Sequence, residues 1–251
     1  MNNLAVKAEN DRYFREHEFP GMFSEYIPDI VPVKRQRREK FILSENIRSC
    51  STVEAIISSA GKRITALNFA NALVPGGAYL MGGNAQEESL CRASGLYYTI
   101  KETKAFYAAN RRHILPDYTD GQIYSSNVPV IRDDSGKMLE SPVMCDFITC
   151  PAVNRYEAAL CFMPLSVTNK TMERRIGKIV TLAMSHEPQV IILGAFGCGA
   201  FGNRREDVFP MFERAVNEFT DDSAEIIFAL LEARSKRFVS NLWLLFCHQW
   251  Y

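Results

Sequence analysis

Runs in which nearly every residue is apolar predict buried strands at Arg63–Phe69, Met144–Cys150, Gln189–Leu193 and Glu225–Leu231. Between them the apolar positions take a helical spacing. Ala8–Phe19 puts Tyr13, Phe14 and His17 on one side, and Thr52–Ala60 starts at a cap, Ser51 or Thr52. Ala85–Asn110 has the length of one or two helices, Thr171–His186 is amphipathic, Arg205–Phe219 reads as a helix, and Phe238–Trp250 reads as a terminal one. Residues 116–141 are mixed, with turn signals at Asp120-Gly121 and Ser135-Gly136. Strands alternating with helices predict an α/β sheet covered on both faces. Residues 1–60 are charged and helix-like and predict a helical extension packed on a 61–251 core, the whole forming one structural domain.

Composition narrows the partners. Lys plus Arg and Asp plus Glu each number 29, so the net charge is zero. A general nucleic-acid binder carries a basic excess, and none is expected here. The basic run Lys34, Arg35, Arg37, Arg38 and Lys40 reads as a solvated surface segment. Seven cysteines, an odd number with no C-x-x-C pair, indicate reduced thiols and no zinc knuckle. The N-terminus lacks an apolar core of the kind a signal peptide needs. The longest apolar runs, Val190–Ala195 and Leu242–Cys247, fall far short of the roughly 20 residues that span a bilayer. A cytoplasmic protein with no membrane partner is expected.

Two glycine-rich loops follow predicted strands, where open α/β sheets hold their ligands. Glycine lets backbone N–H groups approach an anion closely. The later loop, Gly194–Asn203, contains Gly197-Cys198-Gly199-Ala200-Phe201-Gly202 and leads into a helix whose positive end adds to phosphate binding. Its G-x-G-x-x-G also fits a dinucleotide-binding dehydrogenase, although that fingerprint normally opens its domain. The earlier loop has Gly76-Gly77-Ala78, then seven residues, then Gln86-Glu87-Glu88. Adjacent acids at a helix start complement the helix dipole on any account. Neighbouring helical residues point about 100° apart, so one can face a cleft while the other braces it.

The stretch from Leu67 to Arg92 resembles the signature of the microbial-type poly(ADP-ribose) glycohydrolases, in which a glycine triplet, a short spacer and Q-E-E follow one another. Ile148–Asn154 and Gly194–Asn203 are similar to the same family, and the likeness runs from about residue 10 to 235. The resemblance implies a single macrodomain-like three-layer α/β/α fold with a central mixed sheet. It implies cleavage of ribose–ribose O-glycosidic bonds in poly(ADP-ribose), with no cofactor and no metal. Glu88 is then the catalytic acid and Glu87 the holder of ribose hydroxyls. Asn68, Asn71, Gly76, Gly77, Ala78 and Gln86 contact substrate, together with Gly197, Cys198, Gly199, Ala200, Phe201, Gly202 and Asn203. Ala78 departs from the family's third glycine. Two alternatives use the same loops: an enzyme removing single ADP-ribose units from a protein or nucleic-acid acceptor, and a non-catalytic ADP-ribose reader.

Other residue types carry weaker signals. His17, His113, His186 and His248 lack metal-pair spacing, and no serine stands in G-x-S-x-G. Asp133-Asp134 and Asp221-Asp222 read as turn residues, and Tyr97 and Tyr98 as packing.

Overall fold

The computed structural model describes residues 2–231. Seven strands form one mixed sheet in the order β1-β4-β5-β3-β6-β7-β2. They are β1 (Phe23–Ile27), β2 (Ile47–Arg48), β3 (Ile64–Phe69), β4 (Gln122–Arg132), β5 (Met138–Cys150), β6 (Val190–Gly194) and β7 (Glu225–Ala229). From β5 through β3, β6 and β7 to β2 the pairings are parallel, while β4 is antiparallel to both β1 and β5. Side chains alternate across the pleat. Ile191 and Leu193 join the core under α7 (Leu165–Ser185) and α8 (Arg205–Phe219); Val190 and Ile192 join the opposite core, with α2 (Thr52–Ser58). That second layer also contains α3 (Gln86–Ala93), α4 (Leu96–Ile100) and α5 (Lys104–Arg112). The remaining helices are α1 (Asn3–Glu16) and α6 (Arg155–Leu160).

Four strands are legible in the apolar runs, and the sheet has seven. β4 is hidden because Ser125-Ser126-Asn127 breaks its apolar pattern. The register shifts there, and Asn127 takes φ +53°. Pro129 is tolerated because it lies beyond the stretch of β4 that pairs with β1. β1 and β2 come from the first 60 residues, which supply sheet strands as well as α1 and α2. The 85–110 stretch divides into three helices, interrupted at Ser94-Gly95 and at Glu102-Thr103. The expected helix over 238–250 lies outside the described residues. No helix among the described residues is long and apolar enough to cross a membrane.

Three residues of the basic run pair with neighbours. Lys34 pairs with Glu218 at 2.9 Å, Arg35 with Asp221 at 2.7 Å and Arg37 with Asp222 at 3.7 Å. The two aspartates thus anchor a strap over the end of α8.

The helix α1 is tied to the segment that carries the acids. Asn10 is fully buried. Its amide donates to the Arg92 carbonyl at 2.8 Å, and its oxygen accepts from Arg132 Nε at 2.8 Å. Asn3 donates to Gly82 O at 2.8 Å, and Arg92 donates to Gly83 O and to Ser89 Oγ. Asn10→Ala strands a carbonyl and a guanidinium N–H in a buried place, at a cost of about 1–3 kcal/mol. Denaturant unfolding should show that loss, and an unchanged midpoint would mean that α1 contributes little to the core.

Candidate active site

The site follows from β3 and β6 being parallel neighbours. Both strands end at the same edge, so the loops after them lie side by side. Together with Ala152 after β5 and Ala229–Leu230 at the end of β7, they border a cleft of about 790 Å³.

On one side stand the acids. Gln86 clamps the first turn of α3 to β3: its Oε1 accepts from Phe69 N at 2.9 Å and its Nε2 donates to Leu67 O at 2.8 Å. Glu87 is 2% exposed, and both of its oxygens are held. Asn71 N donates to Oε2 at 2.7 Å, and Asn68 Nδ2 to Oε1 at 3.3 Å. Glu88 is 6% exposed. Its Oε1 accepts from Ala78 N at 2.8 Å, while Oε2 is buried and has no protein partner. Both glutamates line the cleft.

On the other side, the 197–202 loop is folded upon itself. Gly202 N donates to Gly199 O at 3.0 Å and Asn203 N to Gly197 O at 3.0 Å. The Asn203 amide also donates to Val153 O at 2.8 Å, tying the loop to the end of β5. Gly197 has φ +70°, and a methyl there would fall 2.5 Å from Ala152 Cβ. The N–H groups of Gly199, Ala200 and Phe201 have no internal partner among the described residues. They sit just before the N-terminus of α8, whose Arg205 also lines the cleft. Free N–H groups, a helix N-terminus and a guanidinium form an anion-binding arrangement. Among the described residues, no group of three or more His, Cys, Asp or Glu could hold a metal ion.

The site thus sets a buried acid pair against an anion cradle on a macrodomain-like sheet, and proteins of known family resemble the chain as a whole. The family described as microbial-type PARG, catalytic domain, matches residues 3–133. The crystal structure of poly(ADP-ribose) glycohydrolase from Thermomonospora curvata, bound to the inhibitor ADP-HPD, is 29% identical. Its TM-score is 0.78, with 93% of this chain and 94% of that one covered. The enzyme of the same name from Deinococcus radiodurans, in complex with ADP-ribose, is 35% identical with a TM-score of 0.69, covering 75% of this chain and 77% of that one. The chain belongs to the microbial-type PARG family. No curated protein sequence matches it.

The PARG-family signature residues divide into those that line the cleft and those behind it. Asn71, Gln86, Glu87, Glu88 and the segment Gly197–Phe201 line it. Asn68, Gly76, Gly77, Ala78, Gly202 and Asn203 do not, and what they do instead is hold the lining residues. Asn68 is fully buried behind Glu87, Gly77 backs the two carboxyls, the Gly76 backbone hydrogen-bonds Glu87, and Asn203 braces its loop. Ala78 has φ −91°, an ordinary conformation for alanine, and offers its N–H to Glu88.

Several lining residues carried no signal in the sequence. Ser51, Thr52 and Val53 at the start of α2 line the cleft, as does Asp134. Ser51 forms a capping box with Glu54 and also donates to the Asp134 carboxylate. Burial pushes the Asp134 carboxyl above its usual range, and the charges of Glu54 and Asp133 add to that. Asp134 is therefore more than a turn residue; only the β4–β5 hairpin brings it to α2.

Burial raises the Glu87 carboxyl to about 8; the Glu88 charge adds to this, while the Asn71 and Asn68 hydrogen bonds oppose it. The consequence for stability has a definite sign. Between the unfolded value of 4.5 and about 8, the folded chain keeps a proton that the unfolded chain has released. Stability therefore falls as pH rises through that window, by up to about 5 kcal/mol. Glu87→Gln is neutral throughout. It should melt above the wild type at pH 9 and lose that advantage near pH 5. Parallel melting curves for the two proteins across this range would contradict the assignment.

Proposed function

We propose that the protein hydrolyses the ribose–ribose O-glycosidic bond of poly(ADP-ribose) and releases ADP-ribose, with Glu88 as the acid and base. The carrying observation is the buried, unpartnered Glu88 Oε2 beside a second buried carboxyl, across a cleft from an anion cradle. The ADP-ribose and ADP-HPD bound by the Deinococcus radiodurans and Thermomonospora curvata enzymes support the same ligand class. A cytoplasmic setting is part of the reading, and the six described cysteines, all free, accord with it.

In this mechanism the diphosphate of the unit being released lies on the N–H groups of Gly199–Phe201, next to the start of α8 and Arg205. The distal ribose then sits between Phe201 and the acids. Glu87, held on both oxygens, orients ribose hydroxyls. The pair carries a proton at neutral pH because of the raised Glu87 carboxyl. Once substrate excludes water from the cleft, the free oxygen of Glu88 is the atom through which that proton reaches the leaving 2′-oxygen. The C1–O bond breaks with oxocarbenium character, which the nearby diphosphate stabilises. Glu88 then takes a proton from water as the water oxygen joins C1.

Glu88→Gln keeps the shape and removes the proton transfer. Hydrolysis of the polymer should fall by about 10²-fold or more, while calorimetric binding of ADP-ribose persists. Wild-type turnover in the variant would overturn the role of Glu88. Wild-type protein that binds ADP-ribose and releases nothing from polymer or mono-ADP-ribosylated protein would be a reader.

The raised carboxyl also predicts the alkaline limb of the rate profile. The wild-type rate on polymer should decline as pH passes about 8, where the pair loses its proton. A rate that stays level to pH 10 would separate catalysis from the Glu87 carboxyl.

A further inference from the structure

A second concavity, of about 410 Å³, lies between the end of α5, the 113–118 segment and α6. It is walled by Leu73, Ile114, Leu115, Tyr118 and Leu160, with Arg111 and His113 beside them and the Glu157 carboxylate at its edge. Two of its apolar side chains stand almost free in solvent: Ile114 is 92% exposed and Leu160 78%. Apolar exposure gathered in one concavity marks a contact surface.

Its position gives it an occupant. The groove and the catalytic cleft have no lining residue in common, but lining residues of the two touch at two places. On one side Phe201, which lines the cleft, has its ring 6.3 Å from that of Tyr118, which lines the groove. On the other side Asn71 N holds Glu87, and the Asn71 side chain accepts from Leu73 N at 2.8 Å. The route from acid pair to groove is thus Glu87, Asn71, Leu73. Tyr118 is held at φ +57°, a costly conformation for an aromatic residue. The fully buried Arg175 secures it by donating to the carbonyls of Asp117 and Tyr118.

We propose that this groove binds the nucleotide on the leaving side of the scissile bond, the adenosine phosphate of the next ADP-ribose unit in the polymer. The inference rests on the polymer-hydrolase reading above. The leaving oxygen is the 2′-oxygen of that adenosine, so its base and 5′-phosphates must emerge from the cleft beside the acids. An apolar wall with an aromatic ring accepts the base, Glu157 accepts from its exocyclic amine, and Arg111 faces the phosphates, while the His113 ring is held by Asp117 at 2.7 Å. Such a subsite favours polymer over a lone ADP-ribose unit, because only polymer has a nucleotide to place there.

The test uses Ile114→Glu with Leu160→Glu, two exposed positions outside the cleft, so that the fold and the acids are untouched. Thermal melting checks the fold. Hydrolysis is measured on poly(ADP-ribose), on mono-ADP-ribosylated protein, and on ADP-ribose joined at C1 of its distal ribose to a small aryl leaving group. Free ADP-ribose binding is measured by calorimetry. The expected result is a fall of about tenfold or more in kcat/KM on polymer, mostly in KM, since the subsite contributes binding rather than proton transfer. The aryl substrate and ADP-ribose affinity should be unchanged. Unaltered kinetics on polymer overturn the proposal, as does an equal loss on polymer and aryl substrate. A loss confined to mono-ADP-ribosylated protein would assign the groove to a protein acceptor and overturn it too. Wild-type protein inactive on polymer but active on the aryl substrate would instead overturn the polymer reading on which the subsite depends.

Discussion

Two carboxyl groups can be buried side by side here because the backbone at Gly77 has no side chain. A methyl on Gly77 would lie 2.4 Å from Glu88 Oε1 and 3.1 Å from Glu87 Oε2. Gly77 also takes φ +56°, and Gly76 before it φ +71°. This turn aims Ala78 N at one acid, and Asn71 N from the same loop reaches the other. Everything else at this end of the sheet serves that approach. Gln86 fixes the register of α3 against β3, and Asn68 stands behind Glu87. Asn68 also keeps an unpartnered buried oxygen, which becomes the acceptor of a protonated Glu87 once its amide turns.

Desolvating two acids is unfavourable, and the surrounding structure must hold the segment that carries them. This explains why a helix remote from the cleft belongs to the site. Asn3, Asn10 and Arg92 form a bridge from α1 to the 82–84 loop and to α3. Tyr98 donates to Asp11 at 2.7 Å on the same contact face. The N-terminal segment is thereby part of the acid pair's support and, through β1 and β2, part of the sheet.

The strands of the parallel centre were legible because burial on both faces makes them continuously apolar. Met144–Cys150, Gln189–Leu193 and Arg63–Phe69 all lie within a residue or so of β5's inner half, β6 and β3. Edge and bulged strands were not legible, since β1 and β2 are short and partly exposed and β4 is interrupted by Ser125–Asn127. The same division holds in the site. Glycines and acids announce themselves at fixed spacing in one stretch of chain. Ser51, Asp134 and Arg205 come from three separated elements, and only the sheet order brings them to one cleft.

Ala78 shows how the loop absorbs a departure from the glycine triplet. What the site takes from this position is an N–H aimed at Glu88, and φ −91° delivers it from alanine as readily as from glycine. The methyl has to go somewhere, and it points at Gly83: a Cβ built on Gly83 would fall 2.7 Å from Ala78 Cβ. The Gly83 backbone closes onto the same residue, donating to Ala78 O at 2.9 Å. A residue larger than glycine at 83 would thus collide with Ala78, and it would also come within 3.2 Å of Glu88 Cγ. Steric freedom that a third consecutive glycine would have supplied is provided five residues later, on the opposite side of the turn. The constraint belongs to the space around Glu88, and the chain meets it with two glycines, Gly77 against the carboxyl and Gly83 against Cγ.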